Sequence, residues 1–518
     1  MRRAAAAVLV AALLLSAAAL GAEETDGASI VAEAAAVGAE AAGPSDPVVL
    51  FTALDLSFEY RYRSAEILVE DAAVKNGIDF TRNVLDLPPA ALLNWEIGRR
   101  RGFGIGVGAE LRRQFDPAYD GLFPATNVLP LGRDGNPVAT ENPMFTRGVI
   151  FWRGESLDLT LGRDKVDLGE GLKGSLYPSP RLPYLDAFKA KGRLGPLGMD
   201  WLVATMRAAP SWDGASIDPN EGVDTSDFPA GEAFPYGFMN SENPTIVIEA
   251  LHRFTWDFER LRLGVAGHVM YARRNNYFTV TDFLPVIGWH QTKIYSNNLS
   301  TFIDAQWKPF PGLTLSGMAG LDEFNASALG VTDSGSPAVS AWVLGGEYRG
   351  RASGGALDAY AEAGYTHYLW GNFDGSNNAP GDKVTLARAL YYYHQDEGAA
   401  MLPLTSPYGP GATWGRLLGG WEIPGTGLRV GLDLLLLSKI KAANLVETEV
   451  MTADPAGDPD APRLLFFQAA FPLRWRLADF ELYASPAALV RDGTWWAEAT
   501  IGGTYRLRRQ TAVEAPRR

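Results

Sequence analysis

The residue types that most often carry enzyme chemistry are few in this chain, and their spacing does not suit catalysis. The five histidines lie far apart, and no two have the spacing of metal ligands (His252, His268, His290, His367 and His394). No G-x-S-x-G turn, H-E-x-x-H helix or phosphate-binding loop is present. Cysteine is absent, which excludes thiolate nucleophiles, disulfides and thiolate zinc sites. We therefore expect no enzymatic activity, no metal and no cofactor.

Two other patterns look like functional motifs but fit strands better. Glycine recurs at every second position from Gly102 to Gly108, which places the glycines on one strand face, where another group approaches closely. Asp322 and Glu323 are adjacent, so in a strand they point to opposite faces and do not form a ready acid–base pair.

The charge balance argues against nucleic acid as a partner. Lys and Arg number 46 against 60 Asp and Glu, which gives a net charge of -14. A nucleic-acid binder needs a basic face to neutralise phosphates.

The N-terminus predicts export. Arg2 and Arg3 precede an apolar run from Ala4 to Leu15, and small residues follow, as in a secretory signal peptide covering residues 1–22. Residues 23–46, rich in Ala, Glu and Gly, are expected to be a flexible periplasmic lead-in. No later segment has the uninterrupted apolar length of a membrane helix.

Strand patterns of period two fill the remaining chain. Leu54 to Tyr62 alternates apolar residues with charged or polar ones, and similar patterns follow at 261–271, 428–441 and 495–508. Their length, about 8–14 residues, matches tilted membrane strands better than the ~5–6 residues of a soluble sandwich. The clearer strands are predicted to begin near residues 49, 103, 146, 156, 199, 245, 260, 297, 313, 338, 356, 414, 427, 464, 479 and 494.

The pattern predicts an all-β fold, an antiparallel transmembrane β-barrel of roughly 16–20 strands over residues 47–508. We expect short helices at most at 64–95, a short turn within Leu473–Phe480, and a basic tail at 509–518. Aromatic residues near strand ends predict an interfacial girdle (Tyr60, Tyr62, Trp201, Trp342, Trp370, Trp421, Trp495 and Trp496). Such a protein resides in the outer membrane of a double-membraned bacterium, in contact with its lipid.

Long loops are expected to face outward at 114–144, 208–244, 370–383, 395–412 and 447–462. The 208–244 loop is acidic and contains several aromatic residues, among them Trp212 and Tyr236. This composition suits a sugar-binding surface, a plug folded into the lumen, or an acidic surface loop without a ligand. The inward faces carry both signs of charge, which suits internal salt bridges in a closed lumen slightly better than a selective pore.

Three stretches resemble the Wzi-type capsule assembly family of outer-membrane barrels. They are Leu161–Asp186 with its glycine-bracketed turn, the strand pair 298–304 and 314–324, and Tyr365-Thr-His367 with the glycine-rich 406–412. The resemblance extends over about residues 160–500 and favours 18 strands. Two features depart from the family: Asp167-Leu-Gly-Glu-Gly171 lacks the family's Trp and Pro, and little room exists for its periplasmic helical bundle.

The resemblance implies a plugged, lectin-like and non-enzymatic barrel that anchors or assembles a surface polysaccharide. The glycan-contact candidates it supplies are Arg163, Asp164, Lys165, Asp167, Asp322 and Glu323, to which the acidic loop adds Trp212 and Tyr236. A passive porin for small polar solutes remains the alternative, because it explains export and a polar lumen equally well. The sequence carries no signal of oligomeric state.

Overall fold

The computed structural model contains one closed β-barrel. It describes residues 47–65, 82, 86–112, 125–127, 145–168, 171–178, 182, 184–207, 245–274, 280–283, 297–323, 339–368, 370–371, 389–392, 399–402, 404–440 and 462–513. Within these residues no helix is long and apolar enough to cross a bilayer. The segment 64–95 lies largely outside the described residues, and from Ala91 onward it is strand.

Nineteen strands form a single sheet, and two more form a separate hairpin. The sheet strands are β1 (Val48–Arg63), β2 (Ala91–Arg99), β3 (Gly102–Leu111), β4 (Phe145–Arg153), β5 (Leu157–Asp164), β6 (Leu185–Leu194), β7 (Leu197–Arg207), β8 (Thr245–Asp257), β9 (Leu261–Arg274), β10 (Asn297–Trp307), β11 (Leu313–Glu323), β12 (Val339–Ala352), β13 (Gly355–Thr366), β16 (Ala412–Glu422), β17 (Leu428–Ile440), β18 (Arg463–Ala470), β19 (Leu473–Leu477), β20 (Phe480–Arg491) and β21 (Thr494–Val513). The hairpin is β14 (Ala389–Tyr392) with β15 (Ala399–Leu402).

The sheet closes on itself. β1 pairs antiparallel with β2 on one side and with β21 on the other, from Val48 opposite Val513 to Arg63 opposite Glu498. β18 and β19 both pair with β17 and β20 in one continuous register, so they are two halves of one strand interrupted at Phe471 and Pro472. The barrel therefore has 18 strands, which confirms the predicted architecture and leaves no open sheet edge.

The two ends of the barrel differ. At one end eight connections span two to five residues each, and the ends of β1 and β21 lie there too. At the opposite end the connections span 15 to 45 residues, apart from the two-residue turn between β20 and β21. Outer-membrane barrels have this arrangement, with short turns in the periplasm and long loops outside the cell. We call these the short-turn end and the long-loop end.

The wall follows the predicted alternation. On β1 the side chains of Leu56, Phe58 and Tyr60 are exposed on the outer surface, while Glu59 and Arg61 are buried inside. Similar exposed apolar side chains lie on other strands, including Ile303, Leu344, Leu436 and Ile501. An apolar surface of this extent suits a bilayer, which solvates hydrocarbon and offers no partner to backbone amides.

Three expectations are corrected by the structure. Leu473–Leu477 is strand β19, and the turn is only Ala478–Asp479, where Ala478 has a positive φ of 51°. β21 continues past Leu507 to Val513 because β1 offers pairing partners that far. Trp370 is fully buried inside the barrel instead of lying in the girdle.

Other groups pack closely against the glycines of β3, as their spacing predicts. A Cβ on Gly104 would meet the Phe151 ring and lie 2.8 Å from the carbonyl oxygen of Ile97. A Cβ on Gly106 would lie 2.6 Å from the guanidinium of Arg147. The groups that approach are therefore side chains of β4 and the backbone of β2, and the stripe gives Arg147 room to reach Glu96 at 2.9 Å.

Candidate functional site

Between β5 and β6, the described residues 165–168, 171–178, 182 and 184 run into the lumen, and we call this segment the plug. Its side chains Leu176 and Tyr177 are completely buried. They belong to one apolar cluster with wall residues of several strands, such as Leu202, Leu251 and Phe302. The largest core of the described protein therefore lies inside the barrel, where the plug packs on the wall.

The plug reaches the opposite wall. Gly174 is packed so closely against Trp414 that a Cβ there would lie 2.5 Å from the indole ring. Trp414 lies on β16, the ninth strand after β5 along the wall and thus half way round the barrel. On the same side, the backbone N–H groups of Lys173 and Gly174 donate to one Glu362 carboxylate oxygen at 2.7 and 3.1 Å. The indole N–H of Trp414 donates to the other oxygen at 2.8 Å.

Tyr177 fixes the plug to a third part of the wall. Its hydroxyl donates to Asp304 at 2.6 Å. Arg253 donates to both oxygens of Asp304, at 3.0 and 2.6 Å, and to Asp200 at 2.9 Å. Burial, reinforced by the Asp304 carboxylate, raises the pKa of Tyr177 well above its usual value, so this hydroxyl remains a donor.

A second segment, residues 404–411, also folds inward, and we call it the inner loop. The Thr366 hydroxyl donates to the carbonyl of Gly409 at 2.7 Å. The Lys439 ammonium donates to the carbonyls of Tyr408 and Pro410 at 3.0 and 2.6 Å. The indole N–H of Trp370, whose ring packs on Phe302 with centroids 6.1 Å apart, donates to the Thr405 hydroxyl of this loop at 3.4 Å. The inner loop therefore fills lumen space with hydrogen-bonded backbone.

The described histidines pack against, or hydrogen-bond to, other side chains of the protein. His268 pairs with Glu249 at 3.0 Å, both fully buried. His252 packs edge-on against Trp201 with ring centroids 4.7 Å apart. His367 stacks on Tyr368 outside the strands, and burial lowers its pKa. Within the described residues no group of three or more His, Asp or Glu could hold a metal ion. His290 and His394 lie outside them.

The first predicted glycan contact, Arg163, lies on the outward face near the long-loop end. Its guanidinium donates to both oxygens of Asp186, at 2.7 and 2.9 Å. The guanidinium carbon also lies 4.1 Å from the centre of the Tyr184 ring. Asp186 is exposed, so an arginine, a carboxylate and an aromatic ring form one accessible patch, which we call the rim patch.

The other candidates from the same stretch separate from Arg163. Asp164 faces the lumen, where Lys189 donates to it at 2.7 Å and Arg147 lies at 3.4 Å. Lys165 is exposed, and its carbonyl accepts from Lys189 at 3.1 Å. Asp167 lines an internal cavity. The four charged residues thus lie in four different surroundings.

The remaining candidates contribute little to an accessible surface. Asp322 is buried and accepts from the Ser300 hydroxyl at 2.5 Å and from the N–H of Gly371 at 2.7 Å. Glu323 is the last residue of β11, where the register with β12 shifts. Trp212 and Tyr236 lie outside the described residues.

Sequence reasoning missed the residues that hold the plug: Glu362, Arg253 and Tyr177. Glu362 and Arg253 lie at inward-facing positions, as the alternation of their strands predicts. The alternation does not indicate which inward carboxylate accepts hydrogen bonds from the plug. The only sequence signal for these wall residues was a charged side chain at an inward-facing position, and the strands around any polar lumen carry such side chains.

A cavity of about 660 Å³ lies on the short-turn side of the plug. Its lining extends from Gly171, Leu172 and Lys173 of the plug to Glu422 and Gly427 near the turn between β16 and β17. The plug therefore separates the long-loop end of this part of the lumen from a chamber at the short-turn end.

The closed wall, outward apolar surface, asymmetric ends and internal plug define a transmembrane β-barrel of the outer-membrane type. No family model and no curated protein sequence matches this chain.

Solved structures of similar shape were found. One is Wzi of Escherichia coli, described as an outer-membrane protein involved in group 1 capsule assembly and as a carbohydrate-binding β-barrel. The sequence identity is 12%, the match covers 93% of this chain and 89% of that chain, and the TM-score is 0.47. Another is OprD of Pseudomonas aeruginosa, with 11% identity, coverage of 90% and 95%, and TM-score 0.40. A third is OccAB4 of Acinetobacter baumannii, with 9% identity, coverage of 90% and 100%, and TM-score 0.42. Likeness at this level assigns no function to the chain.

Proposed function

We propose that this protein is a non-enzymatic outer-membrane barrel that anchors or organises a surface polysaccharide. The observation that carries the proposal is the plug, which extends from β5 to Trp414 on the opposite wall and is fixed by Glu362 and Asp304. A passive porin of this size keeps an aqueous path through its lumen. A plug with completely buried side chains and satisfied polar groups suits a scaffold better.

The rim patch supports a glycan ligand. The Tyr184 ring can cover the apolar face of a sugar, while the Arg163 guanidinium and the exposed Asp186 carboxylate can hydrogen-bond its hydroxyls. The patch lies near the long-loop end, which faces the cell exterior in such barrels. The acidic loop 208–244, with Trp212 and Tyr236, is proposed as the second part of the same surface.

The test measures surface polysaccharide in cells and in medium, in a strain lacking the gene and in complemented strains. We expect the total to stay constant while glycan moves into the medium without the protein, and the wild-type gene to restore retention. The Arg163→Ala/Asp186→Ala variant and a deletion of 208–244 should restore it only in part. Arg101→Ala/Glu155→Ala removes an exposed ion pair at the short-turn end and is the matched control.

An unchanged partition in the deletion strain would overturn the anchoring function. Single-channel recording in planar bilayers then decides the alternative. Steady, porin-like current steps from the wild-type protein would favour the passive porin, whereas an electrically silent barrel would exclude it.

A further inference from the structure

Pro472 breaks the strand that borders the chamber below the plug. The strand runs as β18 to Ala470 and resumes as β19 at Leu473. Pro472 has no N–H to donate, but its carbonyl accepts from the N–H of Gly431 at 2.7 Å. The pairing register with β17 and with β20 is the same on both sides of Pro472, so Arg474 and Arg476 continue the inward alternation of Ala470 and line the chamber.

Three arginines share one carboxylate at this place. Glu481 accepts from Arg506 at 3.1 Å and from Arg476 at 3.3 Å, and a nitrogen of Arg474 lies 4.0 Å away. The Glu481 side chain is only 6% exposed, whereas those of Arg474 and Arg476 are 56% and 66% exposed. One buried carboxylate thus faces three guanidinium groups, two of them largely accessible.

The other charges of the chamber are mostly paired. Arg416 pairs with Asp433 at 3.0 Å, and Arg429 pairs with Asp358. Lys173, Asp167 and Glu422 complete the charged lining. The local excess of positive charge therefore lies at Arg474, Arg476 and Arg506, on the short-turn side of the lumen.

We propose that the chamber is a binding site for a carboxylate-bearing ligand that enters from the short-turn end. A guanidinium offers a planar fork of donors that matches a carboxylate, and the excess of arginines leaves donors on Arg474 and Arg476 for it. The chamber volume lies within the usual range for ligand sites. The plug residues Gly171–Lys173 form its roof, so such a ligand is retained on the periplasmic side. The site does not depend on the proposed glycan-anchoring function.

The test is calorimetric titration of the purified full-length barrel in neutral detergent. Trigalacturonate, succinate and maltotriose serve as an acidic glycan segment, a small organic acid and a neutral control. We expect one or both of the acids to bind, maltotriose not to bind, and affinity to fall as salt rises. Arg474→Gln/Arg476→Gln should weaken binding about tenfold or more, because charge-assisted hydrogen bonds are lost.

Two further variants keep the test specific. Arg474→Lys/Arg476→Lys retains both charges but not the fork, so we expect an intermediate affinity. Arg349→Gln removes a 75% exposed arginine that is near the same end but outside the chamber, and binding should not change. Heat-modifiable migration on gels verifies that each variant is folded. Absence of binding by both acids, or an equal loss in Arg349→Gln, would overturn the site and leave the glycan-partition result unaffected.

Discussion

Two arginine sites in the lumen use charge differently. At the plug, Arg253 is buried and donates to Asp200 and Asp304, so its charge is neutralised within the protein. In the chamber, Arg474 and Arg476 are exposed and share Glu481 with a third arginine. A buried charge with complete partners holds structure together, while an accessible charge with incomplete partners is available to a ligand. The same inward alternation of polar residues therefore supports two roles.

Removing the plug gives the largest expected effect on this contrast. Replacement of residues 166–183 by a short Gly-Ser linker should convert a non-conducting barrel into one with clear current steps, because the plug crosses the full lumen. Single-channel recording in planar bilayers measures this. Deletion of residues 208–225 removes as many residues from another loop and should leave the barrel silent. Equal current steps with and without the plug would show that it is no barrier.

The two kinds of arginine should differ in their effect on stability. Arg253→Leu leaves Asp200 and Asp304 buried without their cation, at an expected cost of about 3–5 kcal/mol. Arg476→Leu removes an exposed side chain and should cost less than about 1 kcal/mol. Urea unfolding in lipid vesicles measures both free energies. Comparable losses for the two variants would remove the distinction between the two arginine sites.

The link between plug and wall can be weakened without removing either. Glu362→Gln replaces the carboxylate that accepts from Lys173, Gly174 and Trp414, and each lost bond to a charged acceptor costs about 1.5–3 kcal/mol. We expect the amides of Lys173 and Gly174 to exchange hydrogen about tenfold faster or more. Mass spectrometry of the plug peptide measures the rate. Glu347→Gln, an exposed change on the adjacent strand β12, should leave it unchanged.

The glycine stripe gives the smallest effect. Gly104→Ala places a methyl group against Phe151 and the Ile97 carbonyl, at an expected cost of about 1–3 kcal/mol. Gly415→Ala on β16 meets nothing within 4 Å and should be neutral in the same urea unfolding experiment. If neither substitution changes the free energy of unfolding, β3 and β4 tolerate a Cβ at position 104, and the glycine stripe is not needed for their packing.

The strands of the barrel wall were more predictable from the sequence than the contacts inside the lumen. Alternation located 16 of the strands, but β2 and β6 were missed. β2 was missed because residues up to 95 were assigned to possible short helices. The outward face of β6 includes Ala190 and Gly192, which give little hydrophobic contrast. Whether apolar and polar residues alternate along a strand depends only on that strand's own residues, so the pattern can be recognised in a short stretch of sequence.

The site depended on information that the local pattern lacks. The resemblance implied a plug, yet nothing in the sequence of 165–184 specifies Glu362 or Asp304 as its partners, because these lie far away in the chain and resemble other inward acids. The arginine cluster was missed for another reason. The short turn was placed somewhere within 473–480 and not at Ala478–Asp479, which hid the alternation of Arg474 and Arg476 with Leu473 and Trp475.

The seam between β1 and β21 has a consequence for the order of assembly. Its sixteen residue pairs join the first strand of the barrel to the last, from Val48 opposite Val513 to Arg63 opposite Glu498. Until residues 494–513 have been synthesised, β1 lacks this neighbour and exposes an unpaired edge that could join another chain. Barrel closure therefore cannot precede synthesis of the last strand, so the seam is completed only when the whole barrel sequence has been made.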